Sequence, residues 1–228
     1  ERRCTCGELA GDCPVWGPLL AWLPAHDDRP LAEKGNRLIE PLTATSPRWL
    51  VESFQADEQL LDAQALGRPV RVIQLTRDVR SWVHSESRRG VERHGRGGTV
   101  GWRSMLRWWR INRRWEQRLN RSGCAVFRLG YEELALAPEQ ALRQLCAWLE
   151  VGFDPAMLQP GLNSSSHIVS GNRMRFDPGH SQAISYDAAW LSSPALSLRL
   201  APLLPAVARL NRRLVYGNGL LGRVWPSA

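Results

Sequence analysis

Three short apolar runs predict buried strands, because each spans only a few residues and ends at proline, glycine or charged side chains. The first is RWLVESF at 48–54, the second runs from Val70 to Leu75, and the third opens CAVFRLGYEEL at 124–134 and leads into a turn. Continuous apolar runs of this kind are typical of parallel strands that are covered on both faces.

Helical patterns lie between and after these runs, at 56–66, 102–120 and 137–151, and another follows the second strand. Residues 88–101 are rich in glycine and arginine and predict a mobile loop. The alternation of strands and helices predicts an α/β fold with a central parallel sheet and helices on both faces. We expect a single domain over residues 1–228.

The helix predicted at 102–120 combines aromatic and basic residues. Arginines occupy much of its circumference, and its large apolar side chains fall near one face, which we expect to pack in the core. The residues of that face are Trp102, Leu106, Trp109, Trp115 and Leu119.

The net charge of +8 and a pI near 10.0 favour a polyanionic or phosphorylated partner. Lys34 is the only lysine among the 30 basic residues, so the positions of individual arginines carry more information than the total charge. No run of 18 apolar residues is present, and we therefore expect no membrane-spanning helix.

Five cysteines, an odd number, argue against a dense disulfide framework and favour a reducing cytoplasm. Three of them, Cys4, Cys6 and Cys13, lie close together near the N-terminus, as in many zinc sites. No fourth ligand follows at a familiar spacing, and the nearest histidine is His26. The sequence therefore predicts a packed or disulfide-capable loop and no bound metal.

A charged corner follows the second strand. The strand ends at Arg77 and Asp78, and the apolar positions Val79, Trp82 and Val83 then recur with helical spacing. Ligands bind α/β proteins at the carboxyl edge of a parallel sheet, and a helix start offers free amides and partial positive charge. We expect an anion at this corner.

The segments LTRDVRSWVHS, YEEL at 131–134 and GNRMRF at 171–176, with His167 ahead of the last, together resemble the sulfotransferase family. The resemblance runs from about Glu1 to the C-terminus and includes a CxCG…CPxW opening. It implies a P-loop-like three-layer fold and 3′-phosphoadenosine 5′-phosphosulfate as sulfuryl donor, with a small-molecule or glycan acceptor. The resemblance implies an enzyme of a bacterial cytoplasm that needs no metal.

The resemblance also assigns donor-binding residues. Arg77 and Ser85 take the positions that hold the 3′-phosphate, and Tyr131 takes the position beside the adenine ring. Members of the family also have a basic loop that contacts the 3′-phosphate. The resemblance places this loop at Gly171, Asn172, Arg173 and Arg175. We expect Glu132 to orient backbone or arginine neighbours rather than to take part in chemistry.

The sequence departs from the family pattern at the phosphosulfate loop. The glycine- and serine-rich turn that follows the first strand of relatives is absent, so we expect the chain to be N-terminally truncated and to lack that strand. In WLVESFQ, Glu52 and Gln55 replace an aspartate and a lysine that are frequent in relatives. Glu52 and His167 are the remaining candidates for the base that accepts the acceptor proton.

Three other functions fit parts of the sequence. The helix at 102–120 is compatible with nucleic-acid binding through arginine and exposed aromatic side chains, although we expect its tryptophans to be core. A module of the same fold that binds nucleotide without transferring a group is also possible. A small-molecule kinase is the third alternative, but it would need the same missing loop and, in addition, a magnesium-binding acid.

Overall fold

The computed structural model describes residues 2–44, 47–52, 69–94, 100–159, 166–170, 184–193, 198 and 200–221. Two compact units are present, the first formed by Glu1–Val70 with Gln159–Gln182 and the second by Arg71–Leu158 with Ala183–Ala228. The expectation of a single domain stays a prediction. Within the described residues, none of the helices combines the length and apolar character needed to cross a bilayer.

Two parallel strands form the sheet of the second unit. Strand β1 is Arg71–Thr76 and strand β2 is Ala125–Gly130, paired in register so that Thr76 lies opposite Gly130. Their carboxyl ends therefore meet at one edge, as parallel pairing requires. Both strands confirm the sequence prediction, and the described residues combine helices with this small two-stranded parallel sheet.

Seven helices lie within the described residues and are numbered in chain order. In the first unit these are α1 and α2, and the second unit contains the other five. Their bounds are α1 Trp16–Trp22, α2 Leu31–Thr43, α3 Val79–His94, α4 Val100–Arg121, α5 Tyr131–Leu136, α6 Pro138–Leu149 and α7 Pro205–Val215. Short 3₁₀ turns occur at Leu23–Ala25, Pro155–Leu158, Ala189–Ser192 and Ala201–Leu203.

The predictions of helices at 102–120 and 137–151 are confirmed by α4 and α6, and α6 begins at Pro138. The loop predicted at 88–101 is wrong at both ends, because α3 continues to His94 and α4 begins at Val100. Residues 95–99 lie outside the described residues. YEEL is the first turn of α5 rather than a turn after the strand. The helix predicted at 56–66 lies outside the described residues.

The strand predicted at 48–54 is wrong over its described part. Residues 47–52 contain no strand, and the side chain of Val51 is 86% exposed. An apolar run needs a neighbouring strand to become a sheet element, and local pattern does not supply one.

The main core of the second unit forms where α3, α4 and α7 pack. Val83, Met105, Trp108 and Leu214 are buried there, and a smaller cluster surrounds Leu129. These side chains fix the helix that follows β1 and the helix that precedes β2.

The apolar face predicted for α4 is wrong in two positions. Trp102 and Leu106 are 38% and 46% exposed, while Met105 and Trp108 are buried. Strand β1 is also less covered than its composition predicts, since Leu75 remains 57% exposed.

Gly130 ends β2 where the chain passes close to α7. A Cβ atom added at this position would lie 1.8 Å from the carbonyl oxygen of Val215 and 2.6 Å from its carbonyl carbon. Because the obstacle is backbone, Gly130→Ala should lower the free energy of unfolding by about 1–3 kcal/mol or more, as overpacking does. Urea denaturation measures the change.

The matched control is Gly152→Ala, since a Cβ atom at Gly152 would have open space around it. We expect that substitution to change stability by less than about 1 kcal/mol. Equal effects of the two substitutions would contradict the close approach of β2 and α7.

Candidate functional site

The described residues include five of the nine residues singled out from the sequence. Arg77, Ser85 and Tyr131 belong to the second unit, and Glu52 and His167 to the first. The other four, Gly171, Asn172, Arg173 and Arg175, lie outside the described residues.

Arg77 lies immediately after β1, at the carboxyl edge of the sheet. The buried Trp108 fixes its backbone, because the indole Nε1 donates a hydrogen bond of 3.0 Å to the Arg77 carbonyl oxygen. The Arg77 Nε donates to Ser81 Oγ at 2.6 Å. The core of the second unit therefore holds this guanidinium at the corner.

Arg77 and Tyr131 come together across the two strand ends. The Arg77 guanidinium carbon lies 5.1 Å from the centroid of the Tyr131 ring, which begins α5 directly after β2. The Tyr131 hydroxyl donates to the Ser185 carbonyl oxygen at 3.1 Å and accepts from the Asp187 backbone amide at 3.0 Å. A segment distant in sequence thus contacts both strand ends.

Asp187 pairs directly with Arg77, at 2.8 Å from its Nη2. The amide of Ala189 and the charge of Arg77 together lower the pKa of the Asp187 carboxyl below its usual range, against a smaller opposing effect of burial. Within the described part of the chain, the remaining Arg77 nitrogen, Nη1, makes no hydrogen bond. The corner is already occupied in part by a carboxylate.

Ser85 is half-buried on α3, one helical turn beyond the fully buried Ser81. The spacing of Arg77, Ser81 and Ser85 places all three along one side of the corner and the helix that follows. Ser81 was not among the residues predicted from the sequence, although its position four residues after Arg77 indicates the same side of the helix.

Aromatic side chains from 184–193 surround this edge. The ring of Tyr186 lies 6.3 Å from that of Tyr131, and the Arg80 guanidinium lies 4.4 Å from the Trp190 ring. Trp190 Nε1 donates to the Tyr186 hydroxyl at 2.8 Å. Burial raises the pKa of Tyr186 above its usual value.

Asp78 is the centre of a buried polar network. Its carboxylate is fully buried and accepts hydrogen bonds from Arg80, from Asn211 Nδ2 at 2.9 Å and from the Tyr216 hydroxyl at 2.8 Å. Burial alone would raise the pKa of Asp78, but the hydrogen bonds and charge of Arg80 and the amide of Asn211 lower it. Burial and the charge of Asp78 raise the pKa of Tyr216.

The expectation of free amides at this corner is wrong for the first three of them. The amide of Asp78 donates to Glu132 Oε2, that of Val79 to Asn211 Oδ1, and that of Arg80 to Asp78 Oδ1. A helix start needs such partners when it is buried, and here the protein supplies them. Side chains rather than these amides must bind any anion at the corner.

Glu132 is 1% exposed and bridges the two strand ends through its bond to the Asp78 amide. The expectation that it orients backbone is confirmed. Burial, and then the charge of Asp78, raise the pKa of Glu132 to about 7. Its other oxygen, Oε1, is buried without a hydrogen-bond partner in the described residues, as is Thr76 Oγ1.

The raised pKa of Glu132 predicts a specific dependence of stability on pH. Between about 4.5 and about 7 the folded protein holds a proton on Glu132 that the unfolded chain has lost. This contribution is therefore fully present below pH 4.5 and is lost as pH rises through 7. Its size is on the order of 3 kcal/mol.

Chemical denaturation of the wild type and of Glu132→Gln from pH 4.5 to pH 8 measures this effect. We expect the free energy of unfolding of the wild type to fall relative to that of the variant as pH rises. Glu139→Gln, on the exposed start of α6, controls for removal of a carboxylate. If the difference in free energy of unfolding between the wild type and Glu132→Gln did not vary with pH, the raised pKa of Glu132 would be contradicted.

The two candidate bases belong to the first unit and have different surroundings. Glu52 is exposed. His167 is half-buried, and its Nδ1 lies 3.3 Å from the Cys13 sulfur and 3.9 Å from the Cys4 sulfur. Their assignment as catalytic bases stays a prediction.

A cluster of three thiols and one imidazole therefore forms in the first unit. The potential ligand atoms of Cys4, Cys6, Cys13 and His167 all lie within 4.8 Å of one another, and the cysteines are free. No metal was predicted from the sequence, because no fourth ligand follows the three cysteines at a familiar spacing. His167 follows Cys13 by 154 residues, too far for a spacing rule to find.

The basic helix α4 offers only part of the surface that nucleic-acid binding would need. Its arginines are mostly exposed, but the guanidinium groups of Arg107 and Arg113 lie over the rings of Trp82 and Trp109. Rings covered in this way are not free to stack on bases. We therefore base no function on this helix.

Comparisons of the chain with family models, with curated proteins and with solved structures found no match.

Proposed function

We propose that the chain is a sulfotransferase that binds the 3′-phosphoadenosine part of 3′-phosphoadenosine 5′-phosphosulfate at the carboxyl edge of β1 and β2. The observation that carries the proposal is the meeting of Arg77 and Tyr131. These residues come from two separate sequence motifs and lie in contact at the edge where α/β proteins bind ligands.

The phosphate contact follows from the chemistry of Arg77. A guanidinium binds phosphate oxygens with two parallel hydrogen bonds, and the free Nη1 together with Nη2 can supply them once Asp187 moves aside. The half-buried Ser85 can add a hydroxyl from α3. Asp187, half-exposed in its segment, acts as a stand-in anion while no nucleotide is bound.

The adenine contact follows from the aromatic side chains. Tyr131 and Tyr186 offer two rings close to the phosphate corner, and aromatic rings bind bases by stacking. Displacement of the 184–193 segment would release the Tyr131 hydroxyl, because that segment holds it through two hydrogen bonds.

The proposed architecture is a P-loop-like three-layer fold in which β1 and β2 belong to a larger parallel sheet. The exposed side chains of Ile73 and Leu75 are the surface that a further layer would cover. The unpaired Thr76 Oγ1 and Glu132 Oε1 at the same edge favour a polar occupant or ordered water.

In the proposed reaction, an acceptor hydroxyl or amine attacks sulfur in line, the bridging oxygen–sulfur bond breaks, and adenosine 3′,5′-bisphosphate leaves. The acceptor proton passes to a base. The edge described above binds and orients the nucleotide, while groups that stabilise the leaving oxygen belong to the phosphosulfate loop that the sequence lacks. We propose a small-molecule or glycan acceptor and a bacterial cytoplasmic location.

Calorimetric titration of the wild-type chain with adenosine 3′,5′-bisphosphate tests the proposal. Adenosine 5′-monophosphate and adenosine 2′,5′-bisphosphate are the matched control ligands. The first has no 3′-phosphate, and the second carries that phosphate on the 2′ position instead. A charge-assisted contact contributes about 1.5–3 kcal/mol. We therefore expect the 3′,5′-bisphosphate to bind about 10–100-fold more tightly than the monophosphate.

Equal affinities for the three nucleotides would contradict a binding site for the 3′-phosphate, and therefore also the proposed donor. Absence of binding by a chain with a cooperative unfolding transition would overturn nucleotide binding by these residues.

A further inference from the structure

The cysteine and histidine cluster of the first unit is independent of the nucleotide site. The sulfur of Cys13 lies 3.6 Å from that of Cys4 and 3.8 Å from that of Cys6. The Nδ1 of His167 lies 3.3 Å from the Cys13 sulfur and 3.9 Å from the Cys4 sulfur. All four donor atoms lie within 4.8 Å of one another.

The distances fit a tetrahedral ion. Zinc–sulfur bonds of about 2.3 Å place two sulfur ligands about 3.8 Å apart, and the corresponding sulfur–nitrogen distance is about 3.6 Å. A disulfide needs sulfur atoms about 2.05 Å apart. Four of the six separations lie within about 0.3 Å of these tetrahedral edges, all six are within 4.8 Å, and the sulfur–sulfur distances exceed a covalent bond.

The local fold brings the three cysteines together. Gly7 directly follows Cys6 and has a φ of 99°, so the chain turns back after the Cys-Thr-Cys segment, and its amide donates to the Cys4 carbonyl oxygen at 3.0 Å. Arg3 and Leu9 then pair as an antiparallel bridge. The Cys13 carbonyl accepts from the Gly17 amide at the start of α1, which ties the third sulfur to that helix.

His167 is held toward the cysteines by its neighbours. The Thr5 amide donates to the Ile168 carbonyl and the Ile168 amide to Thr5 Oγ1, both at 3.0 Å, while Trp16 Nε1 donates to the His167 carbonyl at 2.9 Å. These bonds fix the backbone on both sides of the imidazole. The arrangement is that of an oriented ligand rather than a side chain in chance contact.

The donor set selects the metal and its role. Three thiolates and one imidazole favour Zn²⁺ among the common divalent ions. Four protein ligands close the coordination sphere, as in structural sites, whereas catalytic zinc keeps a position for water. Cys4 and Cys13 are buried in a small hydrophobic cluster. A bound metal ion would add to the stability that this small cluster provides.

We propose that Cys4, Cys6, Cys13 and His167 bind one Zn²⁺ in a closed structural site that fastens the N-terminal segment to Ser166–Ser170. Metal binding through Nδ1 removes that nitrogen of His167 as a catalytic base. The site also anchors the chain just ahead of Gly171, where the basic segment GNRMRF begins.

The test uses the full chain, purified without chelator. Inductively coupled plasma mass spectrometry measures the number of zinc ions bound per chain. We expect about one zinc ion per wild-type chain and loss of most of it in Cys13→Ser. Cys146→Ser, at a buried cysteine of the second unit, is the matched control and should retain the ion. His167→Ala should lower zinc affinity by at least about 100-fold, and His26→Ala should not.

Two measurements on the wild type keep the test decisive if variants fail to fold. Replacement of zinc by Co²⁺ should give thiolate charge-transfer absorption and the intense visible bands of a tetrahedral ion. Bound zinc should protect three of the five cysteines from alkylation, and a chelator should expose them. A reduced, folded wild type that holds neither zinc nor cobalt, or a disulfide among the three cysteines, would overturn the proposal.

Discussion

Replacement of Asp78 by alanine should lower the free energy of unfolding by about 3–5 kcal/mol, the cost of breaking a buried ion pair from one side. The Asp78 carboxylate is fully buried and pairs with Arg80 at 2.9 Å. Without it, Arg80 keeps its charge in a half-buried position, with no other carboxylate in contact among the described residues. Burial of an unpaired charge is costly.

Three further groups lose a partner in this variant. The Arg80 amide at the start of α3, Asn211 Nδ2 and the Tyr216 hydroxyl all donate to Asp78. Each donor left unsatisfied in the interior costs about 1–3 kcal/mol, although neighbouring losses do not add fully. We therefore expect the loss to lie toward the upper end of the 3–5 kcal/mol range.

Glu139→Ala is the surface counterpart, since Glu139 pairs with Arg143 and both side chains are more than half exposed. A pair of that kind contributes about 0–1 kcal/mol. Thermal and urea unfolding of both variants measure the difference. Similar losses in Asp78→Ala and Glu139→Ala would contradict the buried network.

Replacement of Arg77 by alanine should weaken binding of adenosine 3′,5′-bisphosphate by about 10–100-fold, which corresponds to one charge-assisted phosphate contact. Affinity for adenosine 5′-monophosphate should change little, because that ligand has no 3′-phosphate. Stability should fall by no more than about 1–3 kcal/mol, since the Arg77 pair with Asp187 is partly exposed and the buried Ser81 hydroxyl loses one partner. Calorimetry with both nucleotides on the same variant gives the comparison.

Two further variants separate charge from geometry. Arg77→Lys keeps the charge but loses the planar fork, and we expect an intermediate affinity. Arg143→Ala removes an exposed arginine of the same unit and should leave both affinities unchanged. An equal fall for both nucleotides in Arg77→Ala would mean that Arg77 supports the site without contacting the 3′-phosphate.

Strands β1 and β2 and the position of Arg77 could be predicted from local pattern, although the same kind of pattern at 48–54 gave no strand over its described part. An apolar run that stops at a charged corner specifies a strand end, and β1 and β2 lie where this pattern placed them. Helical spacing after Asp78 likewise gave the start of α3. The YEEL segment, predicted as a turn, is helical. Glu132 and Glu133 are buried there, where they accept hydrogen bonds from the Asp78 amide and from Asn218 Nδ2.

The rest depends on contacts between distant segments. Asp187 reaches Arg77 across 110 positions and His167 reaches Cys13 across 154, and no local spacing rule connects such pairs. The same limit explains Trp102, which has the periodicity of a core residue but remains exposed. Which face of α4 is buried depends on the neighbours that the fold provides.

Nuclear magnetic resonance of the arginine Nε–H groups, recorded while adenosine 3′,5′-bisphosphate is added to the folded chain, tests the central proposal most directly. The Arg77 signal, identified by its loss in Arg77→Lys, should shift with the 3′,5′-bisphosphate and much less with adenosine 5′-monophosphate. A bisphosphate that binds and leaves the Arg77 signal in place, while other arginine signals move, would contradict the assignment of this corner to the 3′-phosphate.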